Sequence, residues 1–172
     1  IDFSRDFAYR VFNRGSLGFD FGGRFYGPWW QQIPKELRPY IQINNQSTVE
    51  CDYSSLHLQL LYCKMGLNYH EMHGDDDPYQ LGQNDPDWRN INKNIILIAL
   101  NAESQDTAIR AIRRWVQSEV PQPLKGMVDI RGTLDSFTSR YPEIAEYVCS
   151  DVGISLQNLD AKITDYVLAK SV

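Results

Sequence analysis

Asp52 is the residue of this 172-residue chain with the most direct route to chemistry. Thr48, Val49 and Cys51 before it have the composition of a short buried strand, and Tyr53, Ser54 and Ser55 after it read as a turn. Leu56, Leu58, Leu60, Leu61, Met65 and Leu67 then suggest a buried helix. A carboxylate at such a strand-to-helix junction is placed to hold Mg²⁺, which takes one or two carboxylates and completes its shell with water and phosphate oxygens. The plainer alternative is a solvated aspartate at a helix start, where Asp is common.

A second group lies downstream. Arg89, Lys93, Leu97 and Asn101 recur every four residues and so share one face of a helix. Ile91, Ile95, Ile98 and Ala102 form an apolar stripe that predicts the core side. A helix that buries its isoleucines presents Arg89 and Lys93 together in its N-terminal half, where the helix dipole also favours an anion. Two cations one turn apart suit a triphosphate; found alone, such a pair is more often a solvated face. His70 and His73, followed by Asp75, Asp76 and Asp77, have the three-residue spacing of some metal sites, but no Cys or further His completes a set. That segment reads as an exposed loop, and no zinc site is assigned.

The elements that position these residues follow from the punctuation of the chain. Pro28, Pro34 and Pro39 break up the region before Asp52, and residues 74 to 86 form an acidic loop. A helix is predicted over 103–119 with Ile109, Ile112 and Val116 inward, and the segment from Pro121 to Gly132 separates it from the next helical stretch. Pro142 opens a short helix through Cys149 that ends near Gly153, and Leu156, Leu159, Ile163 and Val167 outline a last one.

The sequence Asp52-Tyr53-Ser54-Ser55-Leu56-His57 resembles the palm motif of family A DNA polymerases, Asp-Tyr-Ser-x-Ile-Glu, whose aspartate binds catalytic metal. Arg89-x3-Lys93 is similar to the start of the fingers helix in the same enzymes and in single-subunit, phage-type RNA polymerases. Upstream, Asp20-Phe21-Gly22-Gly23-Arg24-Phe25-Tyr26 looks like the Asp-x-x-Gly-Arg-x-Tyr element of the phage-type RNA polymerases, which contacts nucleic acid. Read from the residues alone, it is equally a glycine turn beside an aromatic cluster. The resemblance implies an α+β fold, helix-rich, with a short antiparallel palm-like sheet and a fingers-like helical part. It implies template-directed addition of deoxynucleotides to a primer 3′ end by a two-metal mechanism, with Mg²⁺ as cofactor and DNA primer-template and deoxynucleoside triphosphates as partners. Asp52 would hold metal; Arg89, Lys93 and Asn101 would face the nucleotide; His57, in place of the family's glutamate, would lie by the sugar; Arg24 and Tyr26 would contact nucleic acid. An aromatic four residues after the lysine and a Tyr-Gly pair eight and nine after it are usual in the family. Here Leu97, Asn101 and Ala102 stand there.

On this reading residues 1–172 are one polymerase-like piece: about 20–67 the palm-like entry, about 85–119 the fingers-like helices, and 140–172 helices leading towards a second metal motif. The chain starts at Ile1 without an initiator methionine and stops at Val172 before any such motif, so the expectation is a fragment whose second carboxylate lies beyond it. The alternatives are a phage-type RNA polymerase and a non-catalytic nucleic-acid-binding module.

Composition sets the remaining bounds. At 42% hydrophobic and 23% charged, the chain has material for a real core, and no run of about 18 apolar residues would span a membrane. Three cysteines without metal spacing predict reduced thiols in a cytoplasmic protein. The net charge of −5 is segregated: residues 41–88 carry eight acids and one base, whereas 89–131 carry seven bases and four acids. Arg24, Lys35, Arg38, Arg89, Lys93, Arg110, Arg113 and Arg114 are therefore available for a local basic track in an acidic chain, while a solvated helix face is the plainer reading of Arg110, Arg113 and Arg114 taken one by one.

Overall fold

The computed structural model describes residues 4–12, 19–82 and 84–170, which divide into a unit of residues 57–156 and a unit of residues 1–56 with 157–172. The architecture is α+β and helix-rich, with two small two-stranded antiparallel sheets.

The helical unit contains α1 (Leu56–Lys64), entered at Leu56, α2 (Tyr69–His73), α3 (Pro86–Leu100), α4 (Gln105–Glu119), α5 (Gln122–Lys125) and α6 (Ile130–Arg140). It also holds the first turn of α7 (Gly153–Lys170). Its central element is α3, which packs on both α4 and α6. Ile91, Ile95, Ile96, Ala99 and Leu100 of α3 are buried, as are Ile109, Ile112 and Val116 of α4 and Leu134 and Phe137 of α6. Each large aliphatic side chain taken from water in this way stabilises the fold by roughly 1.5–3 kcal/mol. The predicted stripe therefore needs adjustment: Ile96 and Leu100 are core, while Ile98 is half-buried.

Local signals fix the ends of these helices. Asp85 caps α3 by accepting from the backbone N–H groups of Asp87 at 2.8 Å and Trp88 at 3.1 Å, and Pro86 fills the first helical position, where a missing N–H costs nothing. Ser104 and Thr107 form a reciprocal capping box at the start of α4. The helix predicted over 103–119 is thus observed with a slightly later start.

The second unit holds the strands. β1 (Tyr9–Phe12) pairs antiparallel with β2 (Gly22–Tyr26), and the register slips between Val11 and Phe12. β3 (Gln42–Ile43) and β4 (Gln46–Ser47) make a hairpin around Asn44 and Asn45, whose φ angles of 51° and 62° are those of a tight two-residue turn that matches strand twist. Asn158 on α7 is buried and donates to the carbonyls of Phe19 at 2.8 Å and Gly22 at 3.1 Å, tying the helix to β2.

One expectation fails here. Thr48 to Tyr53 is not a strand, Val49 is 86% exposed, and Cys51 and Asp52 are exposed too. The hairpin ladder ends where Thr48 bonds the carbonyl of Ile41, and among the described residues no strand pairs with those beyond it. Alternating apolar residues without a partner edge do not make a strand.

Candidate nucleotide site

The structure places Arg89 and Lys93 one turn apart on the flank of α3 that its buried isoleucines leave open, and both are half-buried. Arg89 is held. Its Nε donates to Oδ2 of Asp77 at 2.6 Å, and the guanidinium centre lies 5.7 Å from the ring centroid of Tyr79. Asp77 is fixed in turn, because its Oδ1 accepts the backbone N–H of Tyr79 at 2.9 Å. A guanidinium anchored through Nε keeps its two terminal nitrogens as a fork for a phosphate or carboxylate. The side chain of Lys93 makes no hydrogen bond or ion pair among the described residues.

The acidic loop is therefore not a solvated appendage. Tyr69 donates to the carbonyl of Asp76 at 2.8 Å, Asn92 to that of Tyr79 at 3.0 Å, and Arg140 to that of Gln80 at 2.8 Å while its other terminal nitrogen reaches Asp76 at 3.2 Å. Sequence reasoning missed Asp77 and Asn92. Their signal is the Asp77-Pro78-Tyr79 turn followed by a helix with one polar residue, Asn92, inside its apolar face.

The dipole argument is modified by the same geometry. Asp85 occupies the helix N-terminus, so the first free N–H donors of α3 already have an acceptor. Asp77, Asp85 and Asp87 also outnumber Arg89 and Lys93, and a highly charged anion would fit this region best as its Mg²⁺ complex.

Asn101 is the C-cap of α3, and its amide donates back to the carbonyl of Leu97 at 2.7 Å. Leu97 and Asn101 line an open cleft of about 550 Å³ between α3 and α4, with Asn94, Ala102, Thr107 and Arg114 among the other walls. His57 sits half-buried in the first turn of α1. His73 is within α2 rather than a loop, and its Nε2 is 2.8 Å from the hydroxyl of Tyr62, which also donates to Glu143 at 3.0 Å. Burial, and then Glu143, raise the Tyr62 phenol far above its ordinary value. This ring cluster is part of the core.

Asp52, Arg24 and Tyr26 belong to the other unit. Asp52 has no hydrogen bond or ion pair among the described residues, while the nearby Glu50 is engaged by Arg38 at 2.8 Å. An exposed single carboxylate fits Mg²⁺ as one ligand, with substrate phosphate and water supplying the others. Among the described residues no three His, Cys, Asp or Glu side chains gather to hold a metal ion. Arg24 pairs through Nε with Asp160 on α7 at 3.4 Å, and Tyr26 is exposed on the same face of β2. Gly22 and Gly23 have φ of 70° and 87°, and a Cβ on Gly23 would lie 2.6 Å from the Phe12 ring. Backbone shape and close packing account for this glycine pair.

Comparison with protein-family models, with curated proteins and with solved structures finds no match to this chain. Among the described residues no helix is long and apolar enough to cross a membrane.

Proposed function

We propose that the chain is part of a template-directed, family A-like DNA polymerase of phage or mobile-element type, and that Arg89 and Lys93 receive the triphosphate of the incoming deoxynucleotide. The observation that carries the reading is the pairing of a fixed cation with an unengaged one: Asp77 orients Arg89, and Lys93 stands one helical turn away. In the other unit, the motif around Asp52 presents an exposed carboxylate, which supports its reading as a metal ligand.

In that reaction the primer 3′ oxygen bonds to the α-phosphorus, the bond from that phosphorus to the oxygen bridging the β-phosphate breaks, and pyrophosphate leaves. The hydroxyl proton passes to water. Lys93 would offset charge developing on the departing pyrophosphate, and the Arg89 fork would fix the phosphates in line. Mg²⁺, held through Asp52, would supply further charge neutralisation and favour the deprotonated hydroxyl. His57 would lie under the sugar, and Arg24 and Tyr26 along the nucleic acid.

A non-catalytic nucleic-acid-binding module is the second reading. One observation favours it: Leu97 and Asn101 hold the places of the family's aromatic residues, and the amide of Asn101 is engaged in ending its helix.

The test is titration of the 172-residue chain with Mg²⁺-dATP. Lys93→Ala should weaken binding about tenfold, the equivalent of one charge-assisted contact near 1.4 kcal/mol. Unchanged nucleotide affinity in Lys93→Ala, with the fold intact by circular dichroism, would remove these residues from a nucleotide site.

A further inference from the structure

We infer that α4 presents a docking surface for the phosphodiester backbone of a nucleic-acid strand, formed by Arg110, Arg113 and Arg114. None of the three arginines has a role in the nucleotide transfer proposed above, so the surface stands or falls separately.

On a helix these three positions, with Thr107, span an arc of roughly 120° and extend about 10 Å along the axis. The opposite arc carries Ala108, Ile109, Ile112 and Val116, all buried in the core. The helix is therefore locked in rotation, and its arginines face solvent as a fixed group. All three are exposed, and none of their side chains makes an ion pair or hydrogen bond among the described residues. Together with Thr107 they enclose a shallow recess of about 530 Å³ that no carboxylate lines. The nearest acids on the chain are Asp106, one turn before Arg110, and Glu119, beyond the patch; Glu103 and Asp151 line the adjoining cleft that Arg114 and Thr107 share.

Three guanidinium groups around one recess, none of them in an ion pair among the described residues, concentrate positive charge on this face in a chain of net charge −5, with Asp106, Glu103 and Asp151 at its margins. The ligand class follows from what else the recess has. A stable protein partner needs an apolar centre to bury, and this recess offers only a threonine and three arginines. A membrane-surface helix must insert its apolar face, and that of α4 is already in the core. A phosphate backbone needs neither. It is bound through forked, charge-assisted contacts with little regard to sequence, and guanidinium is the group that makes them bidentate.

The experiment is fluorescence anisotropy with a labelled 20-nucleotide single strand and the matching duplex, titrated with the 172-residue chain across KCl concentrations. Replacing all three arginines (Arg110→Gln, Arg113→Gln, Arg114→Gln) should lower the slope of log K against log salt by about 2 on the single strand, at about 0.7 per contact, and weaken binding at least tenfold at low salt. Each single substitution should remove about one third of that change, which keeps the test valid if the triple variant folds poorly. Arg131→Gln, an exposed arginine on α6, is the charge control and should leave the slope as it was. The inference is overturned if the unmodified chain binds neither strand nor duplex. It is also overturned if the substituted chains keep the original slope, if Arg131→Gln matches their effect, or if polyglutamate competes as well as an oligonucleotide of equal charge. The measurement contains no nucleoside triphosphate, so failure of the nucleotide site would not alter it.

Discussion

Asp77 holds Arg89 by a single 2.6 Å contact to Nε, while its second oxygen is fixed by the backbone of Tyr79. The acid thus sets the direction of the guanidinium without covering the two nitrogens best suited to an anion. It also ties the start of α3 to the loop before it.

Asp77→Asn separates orientation from stability. The amide oxygen retains the Tyr79 N–H bond, but its NH₂ group faces a donor on Arg89. The side chains are each about one third exposed, so the stability loss should stay within about 1 kcal/mol. Nucleotide affinity should fall severalfold, because the fork is no longer aimed. Chemical denaturation and nucleotide titration on the same protein read the two effects, and an undiminished affinity would deny Asp77 its positioning role.

His57→Gly addresses sugar choice. In an active polymerase that contains this chain, removing the imidazole should raise ribonucleotide incorporation relative to deoxynucleotide while leaving Asp52 in place. The readout is the ratio of kcat/KM for the two sugars, and an unaltered ratio with activity retained would make His57 a packing residue only.

Asn158→Leu should cost about 1–3 kcal/mol, since it leaves the Phe19 and Gly22 carbonyls without their donor in a buried setting. Urea denaturation measures the loss. A change below about 0.5 kcal/mol would mean that water replaces the amide without penalty.

Alkaline stability follows from Tyr62 and Tyr69, whose phenols are both raised by burial, the first then by Glu143 and the second then by Tyr141. The unfolded chain releases these protons near pH 10 and the folded one retains them. Their contribution is complete below pH 10 and declines as pH rises beyond it, by about 1.4 kcal/mol per pH unit for each group. Tyr62→Phe should flatten that decline. Ultraviolet titration alongside melting curves checks it, and a folded protein in which no phenol stays protonated beyond the ordinary tyrosine range would contradict the account.

Much of the helical unit was legible because its signals are local. Asp85-Pro86 marks the beginning of α3, Ser104 and Thr107 mark that of α4, and the isoleucine spacing shows which side faces inward. The segment into Asp52 misled, because Val49 and Cys51 look like strand residues while strand formation depends on an available edge, which sequence does not display. The Asn44-Asn45 turn joins strands of only two residues each, too short for an alternating pattern to show in the sequence. Of the candidate site, the Arg89 and Lys93 face follows from helical period, but Asp77 as its orienting partner does not. Asp77 and Arg89 lie twelve positions apart and are brought together only by the fold of the intervening loop.

Gly153 gives the unusual Asn101 a further meaning. A methyl group on Gly153 would overlap the side-chain amide of Asn101, so the start of α7 rests directly against the end of α3. The segment between them is pinned as well, with Cys149 donating to the carbonyl of Ala99 at 3.0 Å and Asp151 to that of Ala102 at 2.9 Å. Positions 101 and 153 are consequently not independently exchangeable. A tyrosine introduced at 101 must swing its ring outward over the cleft or displace the first turn of α7, so a large side chain at 101 introduced alone meets a steric barrier that a paired change, with the 149–153 segment remodelled, would avoid.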